Sequence, residues 1–430
     1  MLTTIRIVRT IREFNRAQWL STEELRRRSE ARLVRLLRHA VQNVPFYRGL
    51  DINRLPVMDK SAYRNHAPEA FAASNLPAQR RIERATSGST GVPFRFSVDR
   101  AALPVAFASQ LSYDSWIGLR PFDRCLRIAV PPPPGSNGVR LLPWLQRVYD
   151  RWTQERISIW DIDAQRAEDI WRRIEAYRPE FVFGYTSTLA TMADLMLRRG
   201  LRLSRPLHGV IATAETLSPP RRRLIEQYFQ APITNRYGLR EFGWFSAQSC
   251  AFSPEQFHVN TELVVCEILR PDGTPAEDGE TGRIVLTDLW NYARPFIRYD
   301  TGDLAAHPGD SCSCGRGFPL LGPIDGRTDE CLTTPANRVI RPGSLAYYLF
   351  VYNRHSDDVR HYQIIQEGNR RVTLLVVPGD GWNEVAAAQL RDEMSRLLGP
   401  GVEAGVRTVA EIPPERSGKR PIIKTIEEPH

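Results

Sequence analysis

Lysine is almost missing. Of the 58 basic residues in this 430-residue chain, only Lys60, Lys419 and Lys424 are lysines; the rest are arginines. A GC-rich coding bias accounts for the arginines but not for the places where lysine persists. A slim ammonium and a broad guanidinium fork do different work at a reacting phosphate or carboxylate, so the two C-terminal lysines stand out before any motif is read. Cysteine is scarce too. Six residues are too few to scaffold a chain of this length with disulfides, which predicts a reducing compartment and a cytoplasmic protein. No run approaches the roughly 18 consecutive apolar residues of a membrane span. The opening stretch, MLTTIRIVRTIREFNRAQW, has no apolar core behind its charges, so no membrane association and no secretory signal are expected. Zinc-finger and RNA-recognition signatures are absent, and the net charge of +9 is spread along the chain. Short basic clusters at 26–28 and 221–223 fall on predicted helical faces, so no nucleic-acid partner is expected.

What is present has the texture of an α/β protein. Apolar residues recur at helical spacing over 22–42, and 100–116, 164–177, 188–199 and 219–230 also read as helices. FVFGY (181–185) and VIATA (210–214) read as buried strands between them, an alternation that predicts α/β layers. PPPPGSNG (131–138) reads as a rigid loop. From about 258 the pattern becomes strands joined by Gly/Asp/Pro turns, a β-rich subdomain. After Gly326 comes a small α+β unit: two strands at 361–366 and 370–377, an amphipathic helix at 384–398 and a final strand at 406–413. The fold class is therefore α/β, with a large N-terminal domain (1–326) and a small, mobile C-terminal domain (327–430) of a size that folds by itself.

Five segments carry chemistry. TSGSTG (86–91) combines backbone freedom with hydroxyls. Converging N–H groups plus uncharged donors make a phosphate cradle, although no GK[ST] ends it as in the P-loop, and by itself the segment also reads as a flexible loop. RYGLREFG (236–243) sets an aromatic, a glycine and a carboxylate close together. NYARPFIRYDTGDLA (291–305), IDGRTDE (324–330) and PPERSGKRPIIK (413–424) follow.

In this order and spacing the set resembles the adenylate-forming superfamily of acyl-CoA synthetases, peptide-synthetase adenylation domains and luciferases. LPVMDKSAYRNH, the TSGSTGVP form of the loop and the chain length are similar to its phenylacetate–CoA ligase branch. The resemblance covers about residues 30–428. It implies an ATP-dependent, AMP-forming ligase that activates a small carboxylic acid as an acyl-adenylate and transfers it to a thiol, with coenzyme A as the expected acceptor. An amine, a carrier protein or another nucleophile is the alternative acceptor within the same fold.

The implied roles fall on definite residues. Ser87, Gly88, Ser89, Thr90 and Gly91 would hold the β- and γ-phosphates. Glu241 would hold Mg²⁺, which suits a hard carboxylate oxygen. Tyr237 and Gly238 would lie along the adenine, with Ala214 and Glu215 beside it. Asp303 would accept from the ribose hydroxyls, with Arg327 near ribose or phosphate and Asp329 at the hinge. Lys419 would bridge the carboxylate and the α-phosphate. Lys424 is the second candidate for that role, because Pro421 stands where another basic residue is common in the family, and Lys60 reads as a structural contact. The substrate pocket would be lined from 183–188, 213–216 and 238–243, where Phe242, Trp244 and Phe245 suggest an apolar or aromatic acid. A monomer or homodimer is expected.

Finally, SCSCGRG (311–317) and SCAFSPEQFHV (249–259) supply Cys312, Cys314, Cys250 and His258. Three thiolates and one imidazole would form a closed tetrahedral zinc site, and members of the phenylacetate–CoA ligase branch carry a similar set. The other reading is two free cysteine pairs.

Overall fold

A computed structural model describes residues 2–85, 94–130, 153–307, 312–336, 338–353, 355, 357–415 and 418–426. The chain divides into two compact units: Met1–Asp123 with Pro133–Thr153 and Thr234–Pro323, and Arg124–Pro132 with Gln154–Ile233 and Ile324–His430. The predicted loops at 86–91 and 131–138 lie outside the described residues.

In the first unit, helices Leu2–Ala17 and Thr22–Asn43 lead the chain. The second starts where Ser21 accepts from the Glu24 N–H, with Glu23 and Glu24 in its first turn, an N-cap with complementary charge. Strands Ile233–Leu239, Trp244–Cys250, Ser253–Val259 and Leu320–Leu321 form one antiparallel ladder. Val264–Leu269, Thr281–Asp288 and Tyr299–Ala306 form another. An aromatic core fills this unit. Tyr63 lies with ring centroids 4.4 Å from Phe71, 5.2 Å from Phe296 and 5.8 Å from Tyr299. Phe242 belongs to the same core, 5.9 Å from Phe296.

Arg236 is the largest fully buried side chain of this unit, and it is charged. Asp114 pairs with it at 2.7 Å, and Gln248 accepts from its Nε at 2.5 Å while donating to the Tyr113 carbonyl. Removing one member of a buried pair strands the other charge in a low dielectric, at a cost of about 3–5 kcal/mol. Asp114→Ala is therefore expected to lower the urea midpoint of the first unit by that equivalent. A midpoint within error of the wild type contradicts the burial argument.

In the second unit, Gly209–Thr213, Phe181–Tyr185, Cys125–Ala129 and Gln154–Ser158 lie side by side, all parallel. The central strands Phe181–Tyr185 and Gly209–Thr213 are largely buried and read as near-continuous apolar runs, whereas Gln154–Ser158, last in the order, is mostly polar. Helices Ala167–Tyr177, Thr186–Arg198 and Pro219–Phe229 share their core through Ile170, Leu189, Met192, Ile225 and Phe229. The C-terminal part of this unit has a sheet ordered Glu403–Thr408, Arg371–Pro378, Val359–Glu367, Ile423–Ile426, packed around its own core of Leu349, Ile364, Leu374, Leu390 and Met394. Its helix Glu384–Leu398 is capped by Asn383. The strand predicted at 406–413 lies earlier in the chain. It spans Glu403–Thr408, and the chain's last described strand is Ile423–Ile426, parallel to Val359–Glu367. The apolar residues after Thr408 belong to the irregular approach to Gly418.

Candidate active site

The first unit assembles one half of the expected site. Tyr237 lies on the strand Ile233–Leu239 and Asp303 lies 66 positions on, yet the Tyr237 hydroxyl donates to Asp303 Oδ2 at 2.8 Å. Burial, with Asp303 beside it, pushes the phenol well above its ordinary range, so it remains a donor. Gly238 is required sterically: a Cβ there would stand 2.7 Å from the Trp244 carbonyl and 2.8 Å from Phe245 Cα.

Glu241 is 3 % exposed. Tyr299 donates to its Oε1 at 2.9 Å, and Lys60 Nζ approaches the same oxygen at 3.1 Å. Lys60 therefore touches the Mg²⁺ candidate itself, more than the structural contact expected of it. The stitching is local. Met58 N–H donates to Arg298, Asp300 N–H donates to Met58, and Asp59 caps the short helix Lys60–Arg64. Both contacts fall on one oxygen of a carboxylate, a hard donor that suits Mg²⁺. Phe242 is wholly buried in the aromatic core, and the Phe245 ring lies under the Arg236 guanidinium at 5.5 Å. These two rings therefore have core and cation-stacking partners within this unit. The phosphate-loop residues Ser87, Gly88, Ser89, Thr90 and Gly91 lie outside the described residues.

The metal candidates converge in this unit. The ligand atoms of Cys250, His258, Cys312 and Cys314 all lie within 4.8 Å of one another. The Cys250–Cys312 sulfurs are 3.6 Å apart, and Cys314 Sγ is 3.4 Å from His258 Nε2. Two sulfurs about 2.3 Å from a tetrahedral zinc stand about 3.8 Å apart, so the donor set fits that ion in number, softness and spacing. Burial lowers the His258 pKa to about 4, so its nitrogen is a neutral donor at physiological pH. Arg316, two residues beyond Cys314, stacks on Trp116 at 4.3 Å and Trp19 at 5.1 Å. No sequence signal indicated the tryptophans.

The second unit places the other candidates. Ala214 and Glu215 follow the strand Gly209–Thr213, and Ala214 adopts φ 71°. The Glu215 carboxylate accepts from two backbone amides, Ser187 N–H at 2.9 Å and Arg420 N–H at 2.7 Å. Arg327 ends the strand Ile324–Arg327. Lys419 follows Gly418 (φ 81°) in a turn where Glu415 N–H donates to the Lys419 carbonyl. Lys424 sits exposed on the strand Ile423–Ile426. Glu215, Ser187, Arg221 and Arg420 meet, a constellation that local sequence did not reveal.

Known proteins resemble this chain in sequence and in fold. A family model described as the CapK C-terminal domain matches residues 332–425. The phenylacetate-coenzyme A ligase of Thermus thermophilus is 28 % identical over 365 residues, covering 80 % of this chain and 79 % of that protein. Protein CapK of Staphylococcus aureus is 22 % identical, covering 86 % and 79 %. The crystal structure of 2-hydroxyisobutyryl-CoA ligase in the postadenylation state, in complex with R3-HIB-AMP, aligns with TM-score 0.75 at 20 % identity, covering 96 % of this chain and 91 % of that one. Over four fifths of its length the chain is thus similar in sequence to phenylacetate-coenzyme A ligase, and it shares the fold of 2-hydroxyisobutyryl-CoA ligase.

Proposed function

We propose that this chain activates a small carboxylic acid with ATP and transfers the acyl group to coenzyme A. A carboxylate oxygen attacks the α-phosphorus and the bond to pyrophosphate breaks. The thiol sulfur of coenzyme A then attacks the acyl carbonyl, its proton is lost, and AMP leaves. Two anions must meet in the first step, so catalysis rests on positioning and charge stabilisation.

The single observation that carries the reading is the Tyr237–Asp303 hydrogen bond. Two segments far apart in sequence, both assigned by resemblance to the nucleoside, are in direct contact. In this reading Asp303 accepts from the ribose hydroxyls, Tyr237 and Gly238 line the adenine with the backbone at Ala214, and Arg327 lies near ribose or phosphate. The loop 87–91 carries the outer phosphates. Lys419 neutralises the reacting carboxylate and α-phosphate. Glu241 is the residue to hold Mg²⁺, which when bound screens the phosphate charges. Cys250, His258, Cys312 and Cys314 are the residues to hold a structural zinc.

Residues 327–430 are the part proposed to turn between the two half-reactions. The family match over 332–425 and that region's separate apolar core support this. Among the described residues no helix is long and apolar enough to cross a membrane, and none of the six cysteines forms a disulfide. A cytoplasmic location accords with both.

The test is acid-dependent exchange of pyrophosphate into ATP with phenylacetate, benzoate and 2-hydroxyisobutyrate, followed by thioester formation on adding coenzyme A. Exchange with at least one acid and thioester formation are the expected results. Exchange without thioester moves the acceptor to an amine or carrier protein, and no exchange rejects the reading. Asp303→Ala is expected to weaken ATP binding about 10- to 100-fold, because a hydrogen bond to a charged group contributes about 1.5–3 kcal/mol. Isothermal titration with ATP checks this.

A further inference from the structure

The geometry points to a second role for Glu215, together with Arg221: they form a clamp on the Arg420 backbone that positions Lys419. Both faces of the residue after the lysine are held. Its N–H donates to Glu215 Oε1 at 2.7 Å, and its carbonyl accepts from Arg221 at 2.6 Å. Arg221 is 6 % exposed and also donates to the Thr216 carbonyl at 3.2 Å. The other Glu215 oxygen accepts from Ser187 N–H at 2.9 Å. That amide belongs to the first turn of the helix Thr186–Arg198, where the unpaired N–H groups favour a carboxylate. Each jaw is thus tied to a rigid element.

Three further features keep the clamp in register. Thr186 Oγ1 donates to the Glu215 carbonyl at 3.2 Å, which fixes the turn that carries the carboxylate. Ala214 holds φ 71°, a left-handed conformation that a residue with a Cβ keeps only when its surroundings enforce it. On the other side Gly418 holds φ 81°, a left-handed conformation that glycine adopts without strain and a residue with a Cβ does not. Lys419 is therefore bracketed by a glycine in a left-handed conformation and a residue whose backbone N–H and carbonyl are both hydrogen-bonded. A flexible four-carbon stem loses much rotamer freedom when its ammonium must meet a reacting centre, and a fixed backbone root removes part of that loss. The proposal rests on the acyl-adenylate reading only for its catalytic consequence; the clamp itself is a matter of backbone hydrogen bonds.

The experiment uses the full chain with Glu215→Gln, Arg221→Met and Arg221→Lys, each checked for folding by circular dichroism. Hydrogen-exchange mass spectrometry of peptides spanning 412–424 reads the Arg420 amide. Its protection is expected to fall at least tenfold in Glu215→Gln, since an amide group in place of one carboxylate oxygen cannot accept both bonds. Pyrophosphate exchange, run with whichever acid of the panel the wild type uses, is expected to fall at least tenfold in Arg221→Met. KM for ATP should stay within twofold, and Arg221→Lys should recover part of the loss. Thioester formation from the synthetic adenylate of that acid and coenzyme A should keep its rate in Arg221→Met, because the clamp serves the first half-reaction. Unchanged amide protection, unchanged exchange, or equal loss in both half-reactions overturns the proposal. If the wild type exchanges with no acid, the catalytic reading fails separately and amide protection alone decides the clamp.

Discussion

Lys419→Ala is expected to lower acid-dependent pyrophosphate exchange by about 10²–10³-fold, the effect of deleting one preorganised charge stabiliser at a reacting centre. The reason is electrostatic. The carboxylate and the α-phosphate repel as they join, and repulsion between charges a few ångströms apart grows steeply as water is excluded. Lys424→Ala is expected to leave exchange within about twofold, the range of a surface change away from the site. Lys424 is exposed on the strand Ile423–Ile426, in register with Ile365, whereas Lys419 follows a glycine at φ 81° and precedes a residue whose backbone N–H and carbonyl are both hydrogen-bonded. Lys419→Arg is not expected to rescue, because a guanidinium fork is wider and distributes its donors differently. Full activity of Lys419→Ala, with loss in Lys424→Ala, would show that the lysines had been assigned the wrong way round.

The second large effect concerns zinc. Purified protein is expected to carry about one zinc per chain, and Cys312→Ser to carry almost none, by elemental analysis. Binding free energies of structural zinc sites are on the order of 10 kcal/mol, so chelation should lower the melting temperature clearly and re-addition should restore it. The geometry gives the reason. Cys250 ends the strand Trp244–Cys250 and His258 lies in Ser253–Val259, paired across to Leu320. Cys312 and Cys314 come from a separate loop. Without an ion, the three thiols and the imidazole within 4.8 Å of one another are joined by weak sulfur hydrogen bonds. Because thiolates and neutral imidazole bind the metal, zinc should be lost as the pH falls, not as it rises. A metal-free protein that melts as the wild type does rejects the site.

Sequence and structure divide the information unevenly along the chain. Helix Glu384–Leu398 and strand Phe181–Tyr185 have the bounds that periodicity predicted, and Thr22–Asn43 and Pro219–Phe229 differ by one residue at an end. Each is decided within a few turns by apolar spacing and caps. The strand expected at 406–413 ended at Thr408, because alternating residues that pair with no neighbour form no ladder. Phe242, offered as a pocket wall, lies in the aromatic core. Local sequence cannot tell a ring that faces a ligand from one that faces other rings.

By itself, the sequence determined the α/β order of elements, the ordered segments that point to adenylate chemistry, and the four residues able to ligate a metal. These are properties of residue type and spacing along one strand of chain. Only the tertiary structure decided what the buried charges touch: Lys60 against Glu241, Asp114 against Arg236, and Glu215 on the amide that follows Lys419. Those partners lie between 122 and 205 positions apart in the chain. A polar group removed from water must find a partner in whatever packing brings near, and no local pattern encodes which one that will be.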